Sequence, residues 1–128
     1  NVRVLVVDDE EDARVLMQTT LSQYGADVTT ASSVPEALVA FDAAGPHVVV
    51  SDIGMPNEDG YSLIRQLRAR TGDNGGRVPA IAVTPYASPG IQPPGERPTY
   101  QAHVAKPFEP ADVARLVARL ASGQTRTP

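Results

Sequence analysis

A short apolar run that leads directly into five consecutive acids constrains this chain more than any other feature. Residues 4–7 read VLVV, and residues 8–12 read DDEED. An apolar, β-branched run without alternation is typical of a strand that is buried on both faces of a parallel sheet. Carboxylates are costly to bury in such a core, so the acids must lie where the strand emerges at its carboxyl end. That edge of an open α/β sheet binds ligands, and a carboxylate pair there indicates a hard cation such as magnesium.

Three further strand-like runs end in a polar residue. The runs HVVVSD, AIAVT and AHVAK end in Asp52, Thr84 and Lys106. Each residue also has an ordinary structural explanation, namely a turn, a strand position and a solvated charge, and the first acids could simply cap the next helix. Parallel neighbouring strands, however, share one carboxyl edge. We therefore predict that Asp8, Asp9 and these three side chains converge on one pocket.

Composition describes an ordinary globular domain and excludes several classes. The chain has 128 residues, 41% hydrophobic and 20% charged, with a net charge of −4. This length fits one domain with a real core, and the acidic balance gives no support to general nucleic-acid binding. No apolar stretch approaches the length of a membrane span. Since there is no cysteine, disulfides and thiolate metal sites are excluded.

Five strand-like segments alternate with amphipathic helices along the chain. The strands are expected at residues 2–7, 27–31, 47–52, 80–84 and 102–106. Strands separated by helical segments are joined by right-handed crossovers. The pattern therefore predicts an α/β fold with a doubly wound parallel sheet.

The helices are indicated by apolar stripes and end signals. The stripe of the first helix comprises Ala13, Leu16, Met17, Thr20, Leu21 and Tyr24. The second helix is expected to begin at the sequence SVPE, residues 33–36, which is a capping box with a proline in the first turn. Leu63, Ile64 and Leu67 should face the core from the third helix, and the last helix is expected near residues 110–121.

The segment between the fourth and fifth strands departs from this alternation. Residues 86–100 contain four prolines and two glycines. Each interior proline removes a backbone donor and clashes with the preceding turn, at a cost of about 3 kcal/mol. We therefore predict that the helix expected here is disrupted, and that residues 87–99 exchange amide hydrogens faster than most of the domain.

Over residues 2–120 the chain resembles the receiver domain of bacterial two-component response regulators. The residues that match are Asp8 and Asp9, Asp52, Thr84, and Lys106 followed by Pro and Phe. The sequences SDIGMP, EDGY and QAHVAKPF also resemble receivers at the C-terminus of hybrid sensor histidine kinases. Because the chain opens on Asn rather than Met, we expect a fragment of such a multidomain kinase, with no DNA-binding domain after it.

The resemblance implies a flavodoxin-like sheet of strand order 2-1-3-4-5, with a receiver domain over residues 1–121 and a polar tail at 122–128. It implies that Asp52 accepts a phosphoryl group from a phosphohistidine. Magnesium would be held by Asp9, Asp52 and the Gly54 carbonyl, and by Asp8 mainly through a water. Lys106 would contact the phosphoryl oxygens and Thr84 would donate a hydroxyl hydrogen bond to one of them. His103 occupies the position of an aromatic switch residue, although it also fits a histidine on an edge strand with no switching role.

The resemblance also implies partners and a setting. The partner would be a histidine kinase or a histidine phosphotransfer domain, in the cytoplasm, with no direct contact to nucleic acid or membrane and with a homodimer as one expected assembly. No independent enzyme is expected beyond the domain's own aspartate phosphorylation and dephosphorylation.

Three other classes share parts of the pattern. A flavin electron carrier would need a hydroxyl- and glycine-rich phosphate loop where this chain has acids. A magnesium-dependent aspartyl-phosphate phosphatase would carry its nucleophile after the first strand in an Asp-x-Asp pattern. A non-switching receiver-like interaction module would lack the acceptor or the lysine, and both Asp52 and Lys106 are present.

Overall fold

The structure is a computed structural model that describes residues 2–52, 60–69, 78–84, 102–105 and 109–121. Strands and helices alternate through these residues. Their order is β1 (Arg3–Val7), α1 (Glu11–Gln23), β2 (Asp27–Ala31), α2 (Val34–Ala44), β3 (Val48–Asp52), α3 (Gly60–Arg68), β4 (Ala80–Thr84), β5 (Ala102–Ala105) and α4 (Pro110–Ala121). The second and fourth strands and the last helix have the bounds that the sequence predicted.

The strands form one five-stranded sheet in the order β2-β1-β3-β4-β5. Every neighbouring pair is parallel. This confirms the predicted flavodoxin-like, doubly wound architecture. Because all five strands run in the same direction, their carboxyl ends lie along one edge of the sheet, and the residues that follow them are brought to that edge.

Among the described residues, the core consists of two apolar clusters, each combining strand residues with residues from a different pair of helices. In β1, Leu5 and Val7 belong to the cluster that includes residues of α2 and α3. Val4 and Val6 belong to the cluster that includes residues of α1 and α4. Successive strand residues point to opposite faces, so a strand covered on both faces is apolar at every position. That is why the VLVV run shows no alternation.

The predicted stripe on α1 is only partly correct. Met17 and Leu21 are buried as expected, whereas the exposed fractions of Leu16 and Tyr24 are 56% and 59%. Leu16 lies about 100° around the helix from Met17, at the margin of the buried face. Tyr24 lies beyond the last helical residue, at the C-cap, so the helical spacing does not apply to it.

The start of α2 confirms the predicted cap, with one change in its geometry. Ser33 is the N-cap, and its Oγ accepts a hydrogen bond from the Glu36 N–H at 3.3 Å. The Glu36 carboxylate reaches one residue further back than in the usual capping box. Its Oε1 accepts hydrogen bonds from the N–H and the Oγ of Ser32, at 2.7 and 2.6 Å. The helix ends at Gly45, whose φ of 60° favours glycine.

We expect the free energy of unfolding to depend on the charge of Glu36. A hydrogen bond from the Ser32 side chain and a second from the Ser32 backbone hold the pKa of Glu36 below its usual value, against a smaller opposing effect of desolvation and with a still smaller contribution from the Arg14 charge. Because the folded state favours the carboxylate, this contribution is present above the unfolded pKa and is lost as the pH falls through the folded pKa. Glu36→Gln should therefore lower stability at neutral pH by about 0.5 kcal/mol, a value reduced for the exposure of the side chain.

Urea unfolding of both proteins between neutral pH and about pH 3 measures this effect. The difference between them should shrink as the pH falls through the acidic range. A difference that stayed constant over that range would contradict the assignment to charge.

Several sequence predictions lie outside the described residues. These are the irregular segment at residues 86–100, the tail at 122–128 and the loop that contains Gly54. Among the described helices, none combines the length and the apolar character that a membrane crossing requires.

Candidate functional site

Three carboxylates meet at the carboxyl edge of the sheet. Asp8 follows β1 directly, and Asp52 is the last residue of β3. The register pairs Val7 with Ser51, so the next residues, Asp8 and Asp52, lie at the same level on neighbouring strands. Carboxylate oxygens of Asp8, Asp9 and Asp52 all lie within 4.8 Å of one another. This confirms the predicted convergence of these three acids.

Hydrogen bonds from three directions fix the position of Asp8. Its N–H donates to the Ala31 carbonyl at the end of β2, at 3.0 Å. Its Oδ1 accepts the Glu10 N–H at 2.9 Å, which closes a tight turn into α1. Its main-chain carbonyl accepts a hydrogen bond from Arg14 Nη1 at 2.8 Å. The turn that presents the first two acids is therefore held by β2 and by α1.

The three acids differ in exposure. Asp8 and Asp52 expose 8% and 6% of their surface, whereas Asp9 is exposed. Like charges at this distance repel one another strongly where water is largely excluded. A divalent cation would offset that repulsion while remaining reachable from solvent past Asp9.

The separation of the oxygens can be compared with the geometry of magnesium. Two oxygens on one Mg²⁺ lie at most about 4.2 Å apart, because Mg–O distances are about 2.1 Å. The oxygens here lie within 4.8 Å. Small side-chain rotations, or a water between one acid and the ion, would reach that geometry. The donor set of carboxylate oxygens is also the type that magnesium prefers. The residues present therefore fit the ion.

The structure places the backbone of two other predicted site residues. Thr84 ends β4, one residue beyond Val83, the register partner of Asp52. Its own partner is Ala105, the last residue of β5, which Lys106 follows directly in the chain. His103 lies on β5 opposite Ala82. Thr84 is thus at the expected edge, whereas Lys106 and Gly54 lie outside the described residues, as do the side chains of Thr84 and His103.

Sequence reasoning did not identify Arg14 as a site residue. Its guanidinium is partly buried against the turn that carries Asp8. One signal was available, because Arg14 is the first basic residue after the run of five acids and the only one in α1. A basic side chain a few residues after such a run can reach back to contact the acidic segment.

Comparison with known proteins identifies the family. Residues 4–118 match the family model described as the response regulator receiver domain. A parallel five-stranded sheet with clustered acids at its carboxyl edge is consistent with this class of signalling domain. The chain therefore belongs to the response regulator receiver domain family.

Relatives and solved structures extend the comparison. An uncharacterized 14.6 kDa protein from Leptolyngbya boryana is 39% identical over 89% of this chain and 86% of its own length. The probable transcriptional regulator ycf27 from Cyanophora paradoxa is 35% identical over 98% of this chain but only 49% of its own length. The chain therefore spans about half the length of that regulator.

One solved structure of a similar protein contains magnesium. The crystal structure of the response regulator protein TrrA from Thermotoga maritima, in complex with Mg²⁺–BeF, has a TM-score of 0.79 to this chain at 28% identity. The match covers 94% of this chain and 99% of that protein.

Proposed function

We propose that this domain is a phosphoacceptor in which Asp52 takes a phosphoryl group from a phosphohistidine on a partner protein. The observation that supports this most directly is the position of Asp52, nearly buried at the end of β3 and grouped with Asp8 and Asp9. A carboxylate oxygen of Asp52 attacks phosphorus and the P–N bond of the donor breaks, with its electron pair going to the ring nitrogen. The histidine leaves as a neutral imidazole, because its other ring nitrogen already carries a proton. The product is an aspartyl phosphate.

We further propose that Asp9 and Asp52 bind one magnesium ion, that Asp8 contacts it mainly through a water, and that the Gly54 carbonyl completes the protein ligands. The ion, when bound, neutralises charge on the phosphoryl oxygens and on the clustered carboxylates. Two observations support this assignment, the geometry of the three acids and the Mg²⁺–BeF complex of the related TrrA protein. Asp8 and Asp9 would hold the ion beside Asp52, and the turn at Asp8 fixes the direction of these two acids.

Incubation with magnesium and acetyl phosphate, followed by intact-mass measurement, tests this function. We expect a gain of one phosphoryl group, its removal by hydroxylamine, and no gain when a chelator replaces magnesium. Continuous release of phosphate from an added phosphomonoester, without accumulation on the protein, would instead indicate the phosphatase alternative. Absence of any labelling would favour a non-switching interaction module.

We expect Lys106→Ala to separate phosphorylation from metal binding. In the proposal the Lys106 ammonium contacts the phosphoryl group as a compact positive charge. Its removal should slow labelling by acetyl phosphate by about 100-fold, as for the loss of one preorganised charge-stabilising donor. Magnesium affinity, measured by calorimetry, should stay the same or rise, since a nearby cation has been removed.

Lys106→Arg provides the matched control, because it keeps the charge and changes its shape. It should retain more activity than Lys106→Ala. Lys106 is also the only lysine in the chain. Amine-reactive labelling therefore reports on this side chain and the N-terminal amine alone. A large loss of magnesium affinity in Lys106→Ala would argue for a structural role instead.

We propose that the domain works as the receiver module of a larger protein, with a histidine kinase or a histidine phosphotransfer domain as its donor and with a homodimer as one form. The sequences SDIGMP and QAHVAKPF support a hybrid sensor kinase as the parent protein. The ycf27 relative, about twice the length of this chain, supports the modular arrangement in general. The sequence of the whole gene decides this: a kinase core before the domain supports the proposal, and a helix-turn-helix after it would refute it.

A further inference from the structure

We propose that Arg14 is a positioning residue for the acidic site, and that it increases the affinity of the site for a divalent cation although it carries a positive charge itself. This inference rests on the proposed function of the cluster as a magnesium site. Arg14 lies on α1 and is not one of the residues predicted to bind the ion.

The first argument is the contact that Arg14 makes. Its Nη1 donates a hydrogen bond of 2.8 Å to the main-chain carbonyl of Asp8, in a partly buried setting. That carbonyl lies in the peptide bond between Asp8 and Asp9. Rotation of this peptide plane would change the direction of both acids. The Arg14 bond therefore restrains the part of the backbone that aims the two carboxylates.

The second argument is that Arg14 also acts on α2. The pKa of Glu36 is lowered by hydrogen bonds from the Ser32 side chain and backbone and, to a smaller degree, by the positive charge of Arg14. Ser32 directly follows Ala31, whose carbonyl accepts the Asp8 N–H. The positive charge of Arg14 is thus near enough to Glu36 to favour the carboxylate form of that side chain. This weak attraction acts on the same guanidinium that donates to the Asp8 carbonyl.

Charge and geometry predict opposite effects when Arg14 is replaced. The guanidinium repels any cation bound at the cluster, so removal of its charge alone should tighten magnesium binding. Loss of the hydrogen bond should loosen the turn and weaken binding, as the loss of contacts that orient metal ligands usually does. The sign of the change in affinity therefore separates the two roles.

The test is magnesium binding to Arg14→Gln, measured by calorimetry on the whole chain without phosphodonor. We expect affinity to fall about tenfold. Arg14→Lys keeps the charge and the ability to donate a hydrogen bond, and should show a smaller loss. Thermal unfolding without magnesium, run on both variants, shows whether they are folded.

Arg3→Gln is a matched control. Arg3 Nε also donates to a main-chain carbonyl, that of Gly45, at 3.0 Å, but it does so at the amino end of β1. The substitution removes the same charge and the same type of bond away from the acids, so magnesium affinity should stay unchanged. Equal or tighter binding in both Arg14 variants would overturn the inference, and so would an equal loss in Arg3→Gln. An unaltered domain that binds no magnesium would overturn the proposed function together with this inference.

Discussion

Asp52→Asn should reduce phosphoryl labelling by at least about 100-fold, because the amide keeps the shape of the side chain and removes the nucleophile. The fold should remain intact. Asp52 is one of three clustered acids and exposes only 6% of its surface. Its replacement by a neutral group removes repulsion, so the melting temperature without magnesium should stay the same or rise. Intact mass after incubation with acetyl phosphate and magnesium measures the labelling.

Asp27→Asn is the control for this experiment. Asp27 begins β2 at the opposite end of the sheet from the cluster and is exposed. Its substitution removes the same charge and should leave labelling unchanged. Labelling of Asp52→Asn at the rate of the unaltered domain would show that another residue is the acceptor.

Asp9→Asn should weaken magnesium binding by at least about tenfold, since it replaces a carboxylate ligand by a neutral amide. Phosphorylation should slow to a similar degree at low magnesium and recover as magnesium is raised, because the nucleophile is still present. Calorimetric titration measures the affinity, and the dependence of the labelling rate on magnesium measures the recovery.

Asp12→Asn separates ligation from general charge. Asp12 lies in the first turn of α1 and is exposed, and it is not one of the three clustered acids. Removal of its charge acts only through solvent and should change magnesium affinity less than twofold. If Asp9→Asn and Asp12→Asn weakened magnesium binding equally, the loss would result from the reduced negative charge of the segment, and Asp9 would not be a ligand.

The sheet could be predicted closely because its signals are local. The cores of β1 and β3 are short, mostly β-branched runs buried on both faces, and the resemblance supplied the strand order. The helical surface was harder to predict. Leu16 is apolar and belongs to the predicted stripe, yet it is exposed. Which apolar residue at the margin of a stripe becomes buried depends on the neighbouring elements, and hydrophobic spacing alone does not contain that information.

The residues of the candidate site also differ in how well the sequence could predict them. Asp8, Asp9 and Asp52 could be located because each follows or ends a strand and parallel strands share an edge. The position of strand ends does not point to Arg14, because this residue lies within α1. It also contacts a backbone carbonyl rather than a side chain. The contact depends on how α1 leaves the sheet. Such orienting residues leave a weaker trace in a sequence than the ligands they support.

The pairing of Asp8 with Asp52 across β1 and β3 has a consequence for the unfolding equilibrium. Asp8 and Asp52 are far apart in the sequence but lie close together in the folded domain. The unfolded chain does not bring them together, so an ion that contacts both acids binds it weakly. An ion that binds the folded state but not the unfolded state raises the free energy of unfolding. The increase is about 2.7 kcal/mol when the free ion concentration is 100 times the dissociation constant. The free magnesium concentration would then help to set the stability of the folded domain. A fall in free magnesium would shorten the lifetime of the domain in the presence of proteases, in addition to slowing its phosphorylation.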